Sequence, residues 1–590
     1  MKKLFVGFIS ILLILIVIAI VGLAWLDKNQ GKIVAVLIRE KLQKMDISKV
    51  YRIDFGRLDL KILSGELIIH DFSMMPDTQF YQSHDTLRLH YRLMAEAEIP
   101  YLSLTGLDIS ELLLNKKLII SGIEINQPFI RLIDHLTEKE KEQRSENHKP
   151  NNDTIARKPN PINHFNLAYF RIREGRAEVF SRITGKSIFS ADSIQLLVSE
   201  LLVDPEKPIH TILQKTYGSS VLKVGNAFLK NEKGFYDFDL GGITLDLGKD
   251  NLEISSLALT PKHSKALFGK KFGKQTDRFE AKVGSLNIRG FDVNRFIVSD
   301  EIVLNAVIIN GLNLSIFRDK NVPFDTSRFP KMPWQMLSQL KSCIQIDTIE
   351  VNNSLLVYEE LAPEQYKAGS IRLTDLNITI SHVSNDSGYI AQHGPMAFEL
   401  KAMAFDKGNL VLNINVPENL ASEEFSFSGK IGTMDMRAFN SITELNAAVS
   451  IEEGQLDSLV FWANATGEYA TGEMMMIYKN LKINVLKKDA EKKGMLEIGL
   501  LSWLGNKIVR SFNPETGTTT RPVVSTIFAE RDKNKSVFNY IVKAVISGVK
   551  GSLVPGLGKT LKKYEHQKVK EQKKVQRQLD RDKRRKEKQR

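Results

Sequence analysis

Residues 118–132 read LIISGIEINQPFIRL. Apolar residues recur at alternate positions (Leu118, Ile120), the alternation slips by one at Ser121-Gly122, and it resumes at Ile123 and Ile125. Strict alternation marks a strand with one buried face. One extra residue carrying glycine lets a strand absorb a bulge and bend without turning its apolar face outward. The same apolar-x-apolar-x-x-apolar-x-apolar frame recurs at Leu67-Ile69-Phe72-Met74, Phe165-Leu167-Phe170-Ile172 and Leu252-Ile254-Leu257-Leu259. It recurs again at Leu286-Ile288-Phe291-Val293, Val307-Ile309-Leu312-Leu314, Ile344-Ile346-Ile349-Val351 and Ile371-Leu373-Leu376-Ile378.

Chance alone gives roughly seven such frames in a chain of this length, so the frame by itself is weak. Requiring Gly, Asp, Ser or Thr just before the third apolar residue lowers that expectation to about two. Seven of the eight copies meet the stricter form, through Asp71, Gly122, Ser256, Gly290, Gly311, Thr348 and Asp375; Tyr169 is the exception. The pattern predicts a degenerate repeat of bent strands, each apolar on one face. An ordinary sandwich with bulges is the competing reading.

The chain of 590 residues is 43 % hydrophobic and can bury a sizeable core. Its net charge of +13 is unevenly placed: from Lys559 onward there are 15 Lys/Arg and 5 Asp/Glu, a net of +10, leaving +3 for everything before. A nearly neutral body gives no electrostatic case for nucleic acid. Cys343 is the single cysteine, which rules out an intrachain disulfide and a thiolate zinc cluster.

Leu4–Leu26 carries no charge. As a helix it spans about 34 Å, enough to cross a hydrocarbon core. It reads as an uncleaved anchor rather than a signal peptide, since Gly22-Leu23-Ala24 is a poor cleavage site. Lys2 and Lys3 keep residues 1–3 in the cytoplasm and place everything after Asp27 across the membrane.

Residues 31–44 have the spacing of an amphipathic helix. Strands fill the remainder of 27–137. Residues 138–161 are almost wholly polar, a solvated loop. A β-repeat region covers 162–330, a short helical connector 331–342, and a second β region 343–510. In the latter, Gly454, Gly467 and Gly472 are expected at turns. Residues 511–590 combine a loop, an amphipathic helix over 535–553 and a basic tail. On that helix Phe538, Ile541, Val545 and Val549 are candidates for a membrane-surface face; a capping helix packed on protein, followed by a solvated tail, is the competing reading.

Motifs for chemistry are missing. Gly558-Lys559-Thr560 imitates the end of a phosphate loop, but position 553 is leucine where a glycine is needed. Asp237-x-Asp239 reads as the polar face of a strand, and the histidines form no HxxxH or His-x-His pair. No nucleophile elbow is present. The expectation is a protein that is not an enzyme and holds no metal or cofactor.

The anchor, GELIIHDFSMMPD at 65–77, LIISGIEINQPFIRL at 118–132 and VSIEEGQLDSLVFWANATGEYATGEMMMIYKNLKINVL at 449–486 resemble the AsmA-like proteins of Gram-negative envelopes. That resemblance implies a mainly β chain: an N-terminal transmembrane helix, an elongated and strongly curled antiparallel sheet with an open apolar trough, as in chorein-type bridge proteins, and a helical C-terminal segment. It implies a single-pass inner-membrane protein with its bulk in the periplasm. Its ligand would be the acyl chains of phospholipids, and its role outer-membrane lipid homeostasis. A non-enzymatic scaffold or assembly factor for outer-membrane proteins is the alternative, and an envelope protein partner is left open. Trough candidates follow from the frame: Ile120, Ile123, Ile125, Ile309, Leu312, Leu314, Ile346, Ile349 and Val351.

Overall fold

A computed structural model describes residues 51–61, 64–77, 93–115, 117–134, 164–203, 220–230, 234–489, 494–497, 508–515, 521–554, 564–566, 569–570 and 573–574. The anchor at 4–26, the expected helix at 31–44 and the polar loop at 138–161 lie outside the described residues. The chain divides into two units: Met1–Lys262 with Ser285–Glu301, and His263–Gly284 with Ile302–Arg590. Both are mainly β.

In the first unit, strands Tyr51–Asp54 and Leu58–Lys61 pair with Glu66–Pro76, which pairs with Leu93–Thr105. Leu93–Thr105 then pairs with both Lys117–Asn126 and Phe129–Asp134. These two strands run parallel to His164–Ser181. Lys186–Val203, Val221–Lys230, Tyr236–Asp246 and Asn251–Pro261 follow as antiparallel neighbours, and Ser285–Arg289 pairs with the last of them.

In the second unit, Asp277–Val283 pairs with Asn313–Asp319. Ile302–Asn310 and Asn313–Asp319 both run parallel to Ile344–Leu361. Antiparallel pairing then carries the sheet through Gly369–Ser384, Ala397–Ala404, Gly408–Asn415, Phe425–Ile431, Val449–Ala465 and Tyr469–Asp489 to Val524–Glu530.

The expected antiparallel sheet is therefore corrected to a mixed one. A parallel pair needs a crossover of a dozen residues or more. Two long connections supply them, between Asp134 and His164 and between Asp319 and Ile344. The second contains the helical connector, as helix Pro333–Leu337. Its Met332 and Trp334 are buried in the second unit's core, where the Trp334 indole donates to the Ser422 carbonyl at 2.8 Å.

Two more expectations are corrected. The frame at 286–293 leaves its strand after Arg289, and Val293 opens helix Val293–Ser299, whose N-cap Asp292 accepts from the Arg295 amide. Asp292 offers that amide a local partner that a strand would deny it. Gly467 lies in the turn between Val449–Ala465 and Tyr469–Asp489, but Gly454 and Gly472 sit inside those strands. At Gly472 the reason is close approach: a Cβ there would lie 1.9 Å from the Trp462 carbonyl oxygen of the neighbouring strand.

Candidate functional site

Cross-strand register places directly opposed residues on the same face of a sheet. Followed through the first unit, it strings Leu58, Ile69, Leu102, Ile125, Ile172, Leu196, Leu222, Leu245, Leu252 and Ile288 into one file across ten strands. A second file runs through Ile53, Met74, Ala97, Ile130, Ala177, Ala191, Ala227, Leu240 and Leu257. Every member of both is apolar.

Between the files each strand changes parity, and a row of special backbone positions does it. Gln127, Glu174 and Ser193 have φ of 52° and Gly242 has 57°. Gly225 and Ser255 complete the row: a Cβ on Gly225 would lie 2.8 Å from Ser193 Cβ, and the Ser255 hydroxyl donates to the Gly242 carbonyl at 3.2 Å. A left-handed residue turns the pleat by one position. Gly225 and Ser255 stand on the same row without a left-handed backbone; because the slips of neighbouring strands fall on one row, pairing resumes on both sides and the apolar residues stay on one face.

The second unit repeats the device. Gly311, in the link between Ile302–Asn310 and Asn313–Asp319, and Asn353 and Asp375, on the two strands that follow across the sheet, have φ of 65°, 50° and 47°. On one side of them Ile309, Val351, Ile378, Leu400 and Leu412 form a file. On the other side stand Leu314, Leu356, Leu373 and Ala404.

The opposite face of the first unit is charged. Arg131 bridges Glu178 at 2.9 Å and Glu96 at 3.3 Å, and Arg173 meets Glu124 at 2.7 Å. The Glu178 carboxylate, hydrogen-bonded to the Arg131 guanidinium, raises its pKa further. The strands from Leu93–Thr105 to His164–Ser181 are thus amphipathic, with ion pairs on the polar side.

What covers the apolar face changes along the first unit. Near its start the face is packed by protein. Leu67, Ile69, Phe72 and Met74 share one core with Leu118, Ile120, Ile123 and Ile125, so both halves of two frame copies face the same interior. From Ile172 onward the file is only half-buried. Leu229 and Phe238, opposed on adjacent strands, are both 39 % exposed. Among the described residues, no helix of this unit forms a packed layer over strands Lys186–Val203 to Asn251–Pro261.

The trough candidates fall into two groups. Ile120, Ile123 and Ile125 are packed among protein side chains at 1–2 % exposure. Of the second unit's six, Val351 is buried, while Ile309, Leu312, Leu314, Ile346 and Ile349 are half-buried. Ile309 and Val351 are direct cross-strand partners. The half-buried file members Leu196, Leu222 and Leu245 lie in no copy of the frame, so only the register reveals them. Copies 118–125 and 165–172 prove to be parallel neighbours, matched residue for residue. Tyr169, the residue that breaks the frame rule, lays its ring where a Cβ on Gly122 would stand, 2.1 Å from Tyr169 Cζ.

The C-terminal helix spans Val537–Leu553, with the Ser536 side chain capping it from the Asn539 amide. Its four candidates part company. Ile541 is buried, Val545 and Val549 pack partly on the second unit's core, and Phe538 is exposed. Asp237 pairs with Lys262 at 3.3 Å, and no group of metal-ligating side chains occurs among the described residues. The sequence matches no family model and no curated protein.

Proposed function

We propose that this chain holds or transfers phospholipid acyl chains along the apolar face of its sheet, as a membrane-anchored, AsmA-like protein of the cell envelope. Its anchor is residues 4–26, with the body on the periplasmic side of the inner membrane and a role in outer-membrane lipid homeostasis. The observation that carries this reading is the ten-strand apolar file that passes from a protein-packed start to a half-buried stretch with no helical layer among the described residues. A sheet face of this kind must be covered by something apolar. Nine strand spacings of about 4.8 Å make the file about 43 Å long, against about 15 Å for the chains of one leaflet. Affinity would accumulate at about 0.8 kcal/mol per buried methylene, without one dominant residue. That accounts for a candidate site made of rows rather than of a catalytic cluster.

The test is mass spectrometry of lipid carried by the full chain after gentle detergent extraction. Phospholipid in at least equimolar amount is expected, falling when Leu222 and Leu245 are both replaced by aspartate. A protein that carries none, or that carries the same amount in the double variant, overturns the proposal.

A further inference from the structure

Helix Val537–Leu553 has two apolar stripes, and only one is used by the fold. Val537, Tyr540, Ile541, Ala544 and Gly548 are buried, and the helix packs on strands Val524–Glu530 and Tyr469–Asp489. Phe538, Val542 and Ile546 stand 58 %, 47 % and 47 % exposed. Spaced by four residues, they lie along one side of the helix. Lys543 and Lys550, both exposed, lie to one side of that stripe, the Lys543 ammonium donating to the Glu530 carbonyl at 2.8 Å, and the helix contains no acidic residue. Beyond it the chain from Lys559 carries the net +10.

We infer that the Phe538–Val542–Ile546 stripe is a contact for an anionic bilayer surface, separate from the N-terminal anchor and independent of what fills the sheet. Three side chains offer far less than the roughly 800 Å² per partner of a stable protein interface. A second copy of this chain would bring lysines against lysines. A bilayer accepts a short apolar stripe when basic residues beside it meet anionic headgroups. The buried stripe keeps the helix fixed to the sheet, so the contact presents a preformed face and pays no folding cost on binding.

The full chain, held in nanodiscs of neutral phosphatidylcholine, would be offered fluorescent vesicles of phosphatidylcholine alone or mixed with phosphatidylglycerol. Capture of the anionic vesicles is expected to exceed that of neutral ones by about tenfold and to weaken as salt rises. The triple variant Phe538→Asn, Val542→Asn, Ile546→Asn should lose most of this capture, with amide exchange in 524–530 unchanged. As a second readout, Ile546→Cys in a Cys343→Ser background carries an environment-sensitive dye, whose emission should shift to the blue with anionic vesicles only. Equal capture of both vesicle types overturns the inference. So does full capture by the triple variant, or capture with the dye still in water, either of which leaves the contact to the basic tail alone.

Discussion

Replacing Ile125 and Leu245 by alanine, one at a time, separates a packed face from an open one, because both belong to the same apolar file. Ile125 is buried at 2 % exposure within the core around Leu102, Ile69 and Leu118. Its truncation leaves a cavity and should cost about 3 kcal/mol. Leu245 is half-buried. Three carbons at about 0.8 kcal/mol each, roughly half realised, give about 1 kcal/mol. Hydrogen exchange resolved by peptide reads the two sites independently, since local opening free energies need not follow one global transition. At about 1.4 kcal/mol per decade, amides of Lys117–Asn126 should exchange roughly a hundredfold faster in Ile125→Ala. Those of Tyr236–Asp246 should exchange only about fivefold faster in Leu245→Ala. The order should reverse for carried lipid, with Leu245→Ala losing more of it than Ile125→Ala. If Leu245→Ala costs as much as Ile125→Ala and carried lipid is unchanged, protein already covers that end of the file and the trough reasoning fails.

Gly242→Ala puts a side chain at φ 57° and a Cβ 2.5 Å from the Ser255 hydroxyl oxygen, so it should cost about 1–3 kcal/mol and speed exchange in Tyr236–Asp246; unchanged exchange would mean the creased row is plastic. Burial pushes the Tyr478 hydroxyl up to about 12. Its contribution to stability is therefore complete below the unfolded value near 10 and is lost as pH rises through 12, so alkaline denaturation of Tyr478→Phe should show a flatter slope across pH 10–12. Tyr358, Tyr389 and Tyr540 are shifted in the same direction, also chiefly by burial, and should preserve part of the slope; an identical slope in the variant refutes the assignment. Carbonate washing should leave the chain in the membrane, whereas a shortened soluble product starting near Trp25 would show that residues 4–26 are cleaved.

The local rule of alternation with a one-residue slip is written in the chain. It correctly gathers Leu67, Ile69, Phe72 and Met74, and Leu118, Ile120, Ile123 and Ile125, into one interior, because a strand's faces follow from the parity of its own residues. The connector helix around Pro333 and the capped C-terminal helix after Ser536 are legible for the same local reason. Strand neighbours are a different matter. That Lys117–Asn126 lies parallel to His164–Ser181, and that left-handed residues line up from Gln127 through Glu174 to Ser193, depends on register between strands, the first two of them joined by a long connection. Gln127 and Glu174 are not residues whose own preference announces φ near 52°. The paired strands hold them there, with the Gln127 side-chain amide donating to the Glu174 carboxylate at 2.8 Å.

The C-terminal helix shows the division most plainly. By apolarity alone, Phe538, Val545 and Val549 compete with Val537, Ile541 and Ala544 for the inward face, and periodicity cannot rank them. The tertiary structure chose the stripe with the small residues. Gly548 sits where a Cβ would approach Ile527 Cγ1 at 2.9 Å and Met474 Sδ at 3.0 Å. Close approach of helix to sheet at Ala544 and Gly548 decided which side faced inward, and it left Phe538, Val542 and Ile546 outside.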